Sequence, residues 1–204
     1  MRKLLAINGS YRDGGITDRL VAAAVAQLAA QSFATEVIQL RDYPINFCLN
    51  CRHCMQAAGA APGRCVHDDA MAALVEKIEA ADALILASPT NFGSVTALFK
   101  RFMERLAVYG YWPWGRAAPV HRKQRQPQKK ALLISACAAP GVAGRWLYST
   151  RGQLRLTAKV LGARPVGLLF AGLSATAADA DVPDATLKEL ARLADRLGQA
   201  GGRP

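Results

Sequence analysis

The stretch that decides the fold reads Leu4-Leu5-Ala6-Ile7-Asn8-Gly9-Ser10-Tyr11-Arg12-Asp13-Gly14-Gly15-Ile16-Thr17. An apolar strand runs directly into a loop of Gly, Ser and Thr, and that loop opens a helix. The glycines let the backbone turn tightly, the hydroxyls of Ser10 and Thr17 are hydrogen-bond donors, and the free N–H groups at the start of a helix attract anions. The stretch therefore predicts a pocket for the phosphate of a cofactor.

The spacing of the glycines narrows the choice of cofactor. The sequence has no Gly-x-x-x-x-Gly-Lys-Ser/Thr motif for a nucleoside triphosphate, and Gly9, Gly14 and Gly15 do not fit the Gly-x-Gly-x-x-Gly pattern of dinucleotide-binding loops. A mononucleotide fits better. An ordinary strand-to-helix turn also uses Gly and a capping Ser or Thr, so the loop alone leaves that alternative open.

Length and composition point to one domain spanning residues 1–204, because 204 residues with 51% hydrophobic content suffice for one generous core. The apolar run after Arg2-Lys3 lasts only from Leu4 to Ile7, and no run reaches the ~18 residues of a membrane span. We therefore expect a cytoplasmic protein without a membrane anchor. In a reducing compartment its five cysteines are expected to be ligands, redox groups or core residues rather than disulfides.

Hydrophobic periodicity predicts strands that alternate with helices along the chain. The expected strands are Lys3–Asn8, Thr35–Leu40, Ala83–Ala87, Lys130–Ala136 and Arg164–Phe170. The expected helices are Thr17–Gln31, Ala70–Ala80, Val95–Val108, Trp146–Leu161 and Pro183–Leu197. This order predicts an α/β fold with a doubly wound five-stranded parallel sheet and helices on both faces. Loops 9–17, 88–95 and 136–144 then fall at the carboxyl ends of strands, where such sheets bind ligands.

Two of these loops carry a resemblance to a known family. The first matches a Gly-Ser-x-Arg-x-x-Gly-Asn-Thr loop at Gly9, Ser10, Arg12, Gly15 and Thr17, with Ile16 in place of the Asn. The second matches a Ser-Pro-x-Tyr-Phe-Gly-Ser loop at Ser88, Pro89, Phe92, Gly93 and Ser94, with Asn91 in place of the Tyr, and is followed by Lys100, Glu104 and Arg105. Over residues 2–145 the chain resembles the flavodoxin-like flavoproteins of the NADPH-dependent FMN reductase group, and within it the iron-sulfur flavoprotein branch.

The resemblance implies an FMN site built on both loops. It assigns the phosphate to Ser10, Arg12, Gly15, Ile16 and Thr17, and the isoalloxazine edge to Pro89, Thr90, Asn91, Phe92 and Gly93. Core packing of Phe92 is the alternative. The implied activity is electron transfer from NAD(P)H, or from a reduced ferredoxin, to a small acceptor such as free flavin, a quinone or another carrier. The rival is a non-enzymatic electron-transfer or redox-sensing protein. The resemblance also implies a homodimer or homotetramer, for which the aromatic residues 109–114 offer an interface.

The loop 41–67 has no apolar periodicity and carries the spacing Cys48-x-x-Cys51-x-x-Cys54, with Cys65 further on. Three thiolates two residues apart can wrap one face of a cubane cluster, and a fourth can arrive from a loop. Iron-sulfur flavoproteins resemble this pattern, including the acidic pair Asp68-Asp69, which implies a [4Fe-4S] cluster. A zinc or labile thiol site and an empty remnant stay open, with His53 and His67 as substitute ligands. Cys137 is expected to be a small core residue.

The net charge of +11 is concentrated in one region. Residues 1–100 balance nine Lys/Arg against nine Asp/Glu, whereas residues 101–170 hold thirteen Lys/Arg against Glu104 alone. The centre of this region is an insertion at 109–128 that mixes aromatic and basic residues. Such a field attracts phosphate-bearing ligands, an acidic electron-transfer protein or nucleic acid. Nucleic acid is disfavoured because the chain has no nucleic-acid fold signature. A solvated basic loop is the expectation, with a lid or a dimer interface as alternatives.

Overall fold

A five-stranded parallel sheet forms the centre of the computed structural model, which describes residues 1–123, 129–174 and 180–199. The strands are β1 (Arg2–Asn8), β2 (Phe33–Gln39), β3 (Ala83–Ala87), β4 (Thr90–Asn91), β5 (Ser94–Val95), β6 (Gly110–Tyr111), β7 (Val120–His121), β8 (Lys129–Ala136) and β9 (Ala163–Ala171). The sheet has the order β2-β1-β3-β8-β9, and every neighbouring pair is parallel. The remaining short strands form two antiparallel hairpins, β4–β5 and β6–β7.

Helices cover both faces of this sheet. They are α1 (Ile16–Ala29), α2 (Met71–Ala80), α3 (Ala97–Arg105), α4 (Gly141–Leu147), α5 (Thr150–Val160) and α6 (Asp184–Gly198). Successive residues of a strand point to opposite faces, so Leu4 packs into the core under α1 and α6, and Leu5 packs into the core under α2, α3 and α5. Because both faces are covered, β3 is buried along its whole length. The predicted doubly wound, flavodoxin-like sheet is confirmed.

The largest departure from prediction lies before β9. The helix predicted over Trp146–Leu161 is two helices, α4 and α5, and α4 begins inside the predicted loop 136–144. Tyr148 is extended at φ −100° and ψ 146°, which breaks the helical run. Gly144 indicates a loop in the sequence but lies within α4. A Cβ at this position would come within 2.7 Å of the Cys137 sulfur, so the site requires a residue without a side chain. Close packing, rather than backbone freedom, explains this glycine.

Other boundaries shift by shorter lengths. The helix predicted to reach Val108 ends as α3 at Arg105 and continues as a tighter 3-10 turn over Leu106–Tyr109. The predicted C-terminal helix is confirmed as α6, and Cys137 is a buried core residue as expected. Residues 124–128 of the predicted insertion lie outside the described residues. Within the described ranges, no helix has both the length and the apolar run that a bilayer crossing requires.

Gly9 provides a test of the packing at the end of β1. An added Cβ would lie 2.7 Å from the Cβ of Phe99, a fully buried residue of α3. We expect Gly9→Ala to lower the free energy of unfolding by about 1–3 kcal/mol through overpacking, measured by urea denaturation. Gly152→Ala is the control, because a Cβ at that position in α5 meets open space and should raise stability by about 0.5–1 kcal/mol. Equal stability of Gly9→Ala and the native protein would contradict the close packing.

Candidate functional site

The loop from Gly9 to Thr17 connects β1 to α1 at the carboxyl edge of the sheet. Gly14 takes a left-handed conformation at φ 63°, which favours glycine. The helix begins after Gly15, and among the described residues no side chain caps it there. The first-turn N–H groups of α1 are therefore open to an acceptor from outside the chain, as in an anion site.

The predicted phosphate ligands lie together on this loop. Ser10 and Thr17 are each 3% exposed, Gly15 is buried and Ile16 is half-buried. The Ser10 hydroxyl donates to the carbonyl oxygen of Arg12 at 3.1 Å, so it is engaged within the loop. The Arg12 side chain reaches solvent, and its stem lies against Gly15. The loop thus brings together two hydroxyls, the first-turn amides of α1 and one positive charge that reaches solvent.

Arg41, which the sequence analysis missed, supports the loop from below. Its guanidinium donates to Asp18 at 3.0 Å, to Asp13 at 2.7 Å and to the carbonyl of Ser10 at 3.3 Å. These contacts offset part of the charge of two carboxylates that would otherwise repel a phosphate next to them more strongly. A basic residue just after β2 is the sequence signal that could have identified this role. Since β2 pairs with β1, both strands end at the same edge of the sheet.

The second predicted loop forms the β4–β5 hairpin. Its turn residues Phe92 and Gly93 have φ values of 50° and 74°, the left-handed pair that a tight two-residue hairpin turn requires. The Phe92 side chain is fully exposed, so the alternative that it packs in the core is wrong. Pro89 and Thr90 are half-buried and Asn91 is exposed. An aromatic residue held in this backbone conformation and open to solvent indicates a contact surface.

Thr96 joins the two loops. Its hydroxyl caps α3 by accepting from the Phe99 amide at 3.1 Å, and it donates to the carbonyl of Gly9 at 2.6 Å. The Thr96 amide donates to the hydroxyl of Ser88 at 3.0 Å. These bonds connect the carboxyl ends of β1 and β3, which are adjacent strands. The structure therefore brings the predicted phosphate loop and the predicted ring loop to one edge of the sheet.

The four predicted ligand cysteines line one small cavity together with His67, Met55 and Ala107. All are free thiols; Cys51 is exposed and the other three are half-buried. Burial, followed by the neighbouring Cys65, Cys48 and Cys51 in that order of effect, raises the pKa of the Cys54 thiol to about 11. The thiols are thus close enough to influence one another, as members of one site.

The spacing of these thiols bears on the kind of metal site. Within the described residues, no three His, Cys, Asp or Glu side chains come close enough to hold a single metal ion. A zinc ion draws its sulfur ligands to ~2.3 Å from one centre, whereas a four-iron cluster binds each thiolate to a different iron. His67 Nε2 donates to the carbonyl oxygen of Phe47 at 3.0 Å, which leaves Nδ1 as the second nitrogen of its ring. The four thiols of the described chain therefore share one cavity without forming a ready site for a single ion.

A buried ion pair holds the base of the cysteine loop. Arg105, at the end of α3, is 2% exposed and donates to Asp69 at 3.0 Å, to the carbonyl of Asn46 at 2.8 Å and to the sulfur of Cys65 at 3.6 Å. Burial alone raises the pKa of the Asp69 carboxyl. The hydrogen bonds from Arg105 and from the amides of Asn46 and Met71 outweigh burial and lower that pKa to about 2.

The described part of the insertion, residues 109–123, packs in part on the cysteine loop, while its residues 114–120 are exposed. Arg122 follows the β6–β7 hairpin and donates only to backbone carbonyls. These belong to Cys54, Ala57, Gly59, Val108 and Gly110. Two further basic residues, Lys123 and Lys129, bind Glu79 and the last carbonyls of α2. These basic side chains have a structural role, which is visible only from their contacts with residues distant in the sequence.

Arg52 makes the second connection between the insertion and the cysteine loop. It lies between Cys51 and Cys54 in a left-handed conformation at φ 58°. Its guanidinium stacks on the ring of Trp112 at 3.6 Å and faces Trp114 at 4.3 Å, and it donates to the carbonyl of Trp112 at 2.7 Å. The aromatic residues of the insertion thus contact the cysteine loop and hold it in place.

A groove of about 1030 Å³ opens beside the cysteine site rather than at the phosphate loop. It runs between the cysteine loop and α2, and its walls include His53, Cys65, His67, Met71 and Val75. The sequence analysis did not predict it, because its two walls come from separate segments. A small molecule in this groove would reach Cys65 from solvent.

Comparison with known protein families identifies the family to which the chain belongs. The model of the NADPH-dependent FMN reductases matches residues 2–175. The chain belongs to the NADPH-dependent FMN reductase family. The chain is 36% identical over 111 residues to an iron-sulfur flavoprotein of Archaeoglobus fulgidus, covering 54% of the chain and 48% of the relative. It is also 36% identical over 103 residues to an iron-sulfur flavoprotein of Methanocaldococcus jannaschii, covering 50% and 51%.

The match thus spans about half the length of each of these curated relatives. Among solved structures, the chain is similar to the apo form of an NADH:FMN oxidoreductase at a TM-score of 0.63 and 21% identity. That superposition covers 99% of this chain and 92% of the other. At this identity the likeness establishes the fold, and it agrees with the sheet order described above.

The Asp69 carboxylate predicts an acid-dependent loss of stability. Because its folded pKa lies near 2, below the ordinary value of 3.8, it contributes stability above pH 4 that is lost as the pH falls toward 2. We expect this contribution to be about 2 kcal/mol, measured as the free energy of urea unfolding between pH 5 and pH 2.5. Asp69→Asn should lose that part of the pH dependence. Its exposed neighbour provides the control, Asp68→Asn, which should keep it. An unchanged pH profile in Asp69→Asn would contradict the assignment.

Proposed function

We propose that this protein binds FMN, takes electrons from NAD(P)H and passes them to a small acceptor such as a flavin, a quinone or another electron carrier. The observation that carries the proposal is the bonding of the uncapped phosphate loop to the Phe92 hairpin through Thr96. This edge, between β1 and β3, is where the sheet order reverses, and doubly wound folds bind cofactors at that position. Membership in the FMN reductase family supports the same cofactor.

The phosphate of FMN fits the α1 end of this edge. The amides of the first turn, the hydroxyls of Ser10 and Thr17 and the charge of Arg12 would hold it. The Ser10 hydroxyl would exchange its bond to the Arg12 carbonyl for one to the phosphate. Arg41 pairs with Asp13 and Asp18 and reduces the repulsion that these carboxylates would exert on the anion.

The isoalloxazine edge would lie along the backbone from Pro89 to Gly93. When bound, FMN supplies a ring that accepts a hydride from nicotinamide and passes the electrons on. The hairpin contributes position and backbone dipoles that stabilise negative charge on that ring. Phe92 stands at the tip with its side chain in solvent and would border the exposed face of the ring. No acid–base residue is required, because the chain's role is to orient donor and acceptor.

A second candidate function, electron transfer without turnover, is favoured by the cysteine cavity. We infer that Cys48, Cys51, Cys54 and Cys65 hold a [4Fe-4S] cluster, with Arg105 donating to the sulfur of Cys65. The soft thiolate donor set and the positive charge beside it suit such a cluster. In this alternative the protein relays electrons to a partner and does not use a pyridine nucleotide.

Turnover and flavin affinity test the principal proposal. We expect FMN-loaded protein to oxidise NAD(P)H with menadione as acceptor under anaerobic conditions. Ser10→Ala/Thr17→Ala should weaken FMN at least about tenfold in a fluorescence titration, because each lost bond to a charged acceptor costs about 1–3 kcal/mol. The control Thr186→Ala removes a hydroxyl in α6, away from the loop, and should leave FMN affinity unchanged. Unchanged affinity in the double variant would reject the site, and FMN binding without turnover would favour the electron-transfer alternative.

Iron content tests the cysteine site. After anaerobic reconstitution we expect about four irons and about four acid-labile sulfides per monomer, which is the stoichiometry of one fully loaded [4Fe-4S] cluster. Cys51→Ser should lower that content strongly, because it removes one of four ligands. Cys137→Ser is the matched control, since this fifth cysteine is buried beside α4 and should not matter. Equal iron in Cys51→Ser and the native protein, or none in either, would contradict the cluster.

A further inference from the structure

Three arginines of α4 and α5 surround one depression near the candidate flavin edge. Arg145 lies in the last turn of α4, and Arg151 and Arg155 lie on α5. They line a shallow space of about 440 Å³ together with Trp146, Tyr148 and Ser149. We call these three arginines and Trp146 the arginine patch. Within residues 1–123, 129–174 and 180–199, none of the three arginines forms an ion pair.

The patch concentrates positive charge at a local cost. Arg151 and Arg155 are four residues apart on one helix, so their side chains neighbour each other and repel. Partial burial, followed by the charges of Arg155 and Arg145, lowers the pKa of the Arg151 guanidinium. Arg151 is held over the ring of Trp146 at 4.6 Å. The α5 helix begins beside these charges without a side-chain cap among the described residues. Such an arrangement is typical of an anion site, where local stability is given up for binding.

The patch begins next to the hairpin that would border the flavin ring. The amide and the hydroxyl of Ser149 both donate to the carbonyl of Gly93, each at 2.9 Å. A Cβ on Gly93 would come within 3.5 Å of the Tyr148 ring. A ligand placed on the ring at Phe92 and Gly93 can therefore extend over Ser149 onto the arginines.

We propose that the arginine patch binds the 2′-phosphate end of NADPH and so selects NADPH over NADH. This rests on the proposed function. Guanidinium groups bind phosphate with paired hydrogen bonds, and an exposed indole such as Trp146 offers a surface on which an adenine can stack. The patch is a depression with aromatic rings between its charges. That shape suits a small phosphorylated ligand better than the flat acidic surface of a protein carrier.

The test removes two charges and compares two nucleotides. In FMN-loaded protein we expect a lower KM for NADPH than for NADH. Arg151→Gln/Arg155→Gln should raise the KM for NADPH at least about tenfold, because each charge-assisted bond to phosphate contributes about 1.5–3 kcal/mol. The value of kcat should stay within about twofold, and the KM for NADH within about threefold, since NADH lacks the 2′-phosphate. The control Lys159→Gln removes a charge from the same helix outside the patch and should change neither KM.

Direct binding separates failure of this inference from failure of the proposed function. Adenosine 2′,5′-bisphosphate should quench Trp146 fluorescence in the native protein. It should cause no quenching in Arg151→Gln/Arg155→Gln or in Trp146→Phe. If the native protein oxidises neither nucleotide, the proposed function fails while this titration still decides the patch. An unchanged KM for NADPH in the double variant, an equal rise for both nucleotides, or a loss confined to reduction by a reduced ferredoxin would overturn the assignment.

Discussion

The ion pair between Arg105 and Asp69 is the interaction on which the cysteine site depends. It joins the end of α3 to the start of α2 and reaches both the carbonyl of Asn46 and the sulfur of Cys65. The two side chains are 1% and 6% exposed, so each charge has lost most of its hydration. Such pairs contribute little net stability, whereas removal of one partner leaves a buried charge that costs about 3–5 kcal/mol. The value of this pair is the fixed position that it gives to the loop.

Guanidinium groups hold the other parts of the candidate site in the same way. Arg122 collects carbonyls of the cysteine loop, and Arg52 ties that loop to the tryptophans of the insertion. Residues 41–67 have no apolar periodicity of their own, and these contacts supply much of the support that holds the loop in place. Arg41 does the corresponding work under the phosphate loop. Both loops are therefore arranged before any ligand binds, which lowers the entropic cost of binding.

Local patterns predicted the sheet and the two flavin loops, because buried strands are continuous apolar runs and Gly-rich turns follow them. Pairings between distant residues have no such local signal. Asp69 and Arg105 were both noted as motif residues, yet nothing in their spacing shows that they bond across 36 positions. The break at Tyr148 follows from the bonds between Ser149 and Gly93, which lie 56 positions apart. The exposure of Phe92 was unpredictable for the same reason, since an isolated aromatic residue is compatible with either core or surface.

The two bonds from Ser149 to the Gly93 carbonyl have a mechanical consequence. They attach the tip of the β4–β5 hairpin to the first turn of α5, and the hairpin itself is stiffened by its left-handed turn. A displacement of the tip would act on α5 directly, because Gly93 and Ser149 are hydrogen-bonded to each other without an intervening residue. Two ligands that touch these two elements would then alter each other's affinity by the same factor, as thermodynamic linkage requires. In that case the hairpin and α5 would behave as one coupled unit rather than as two independent binding surfaces.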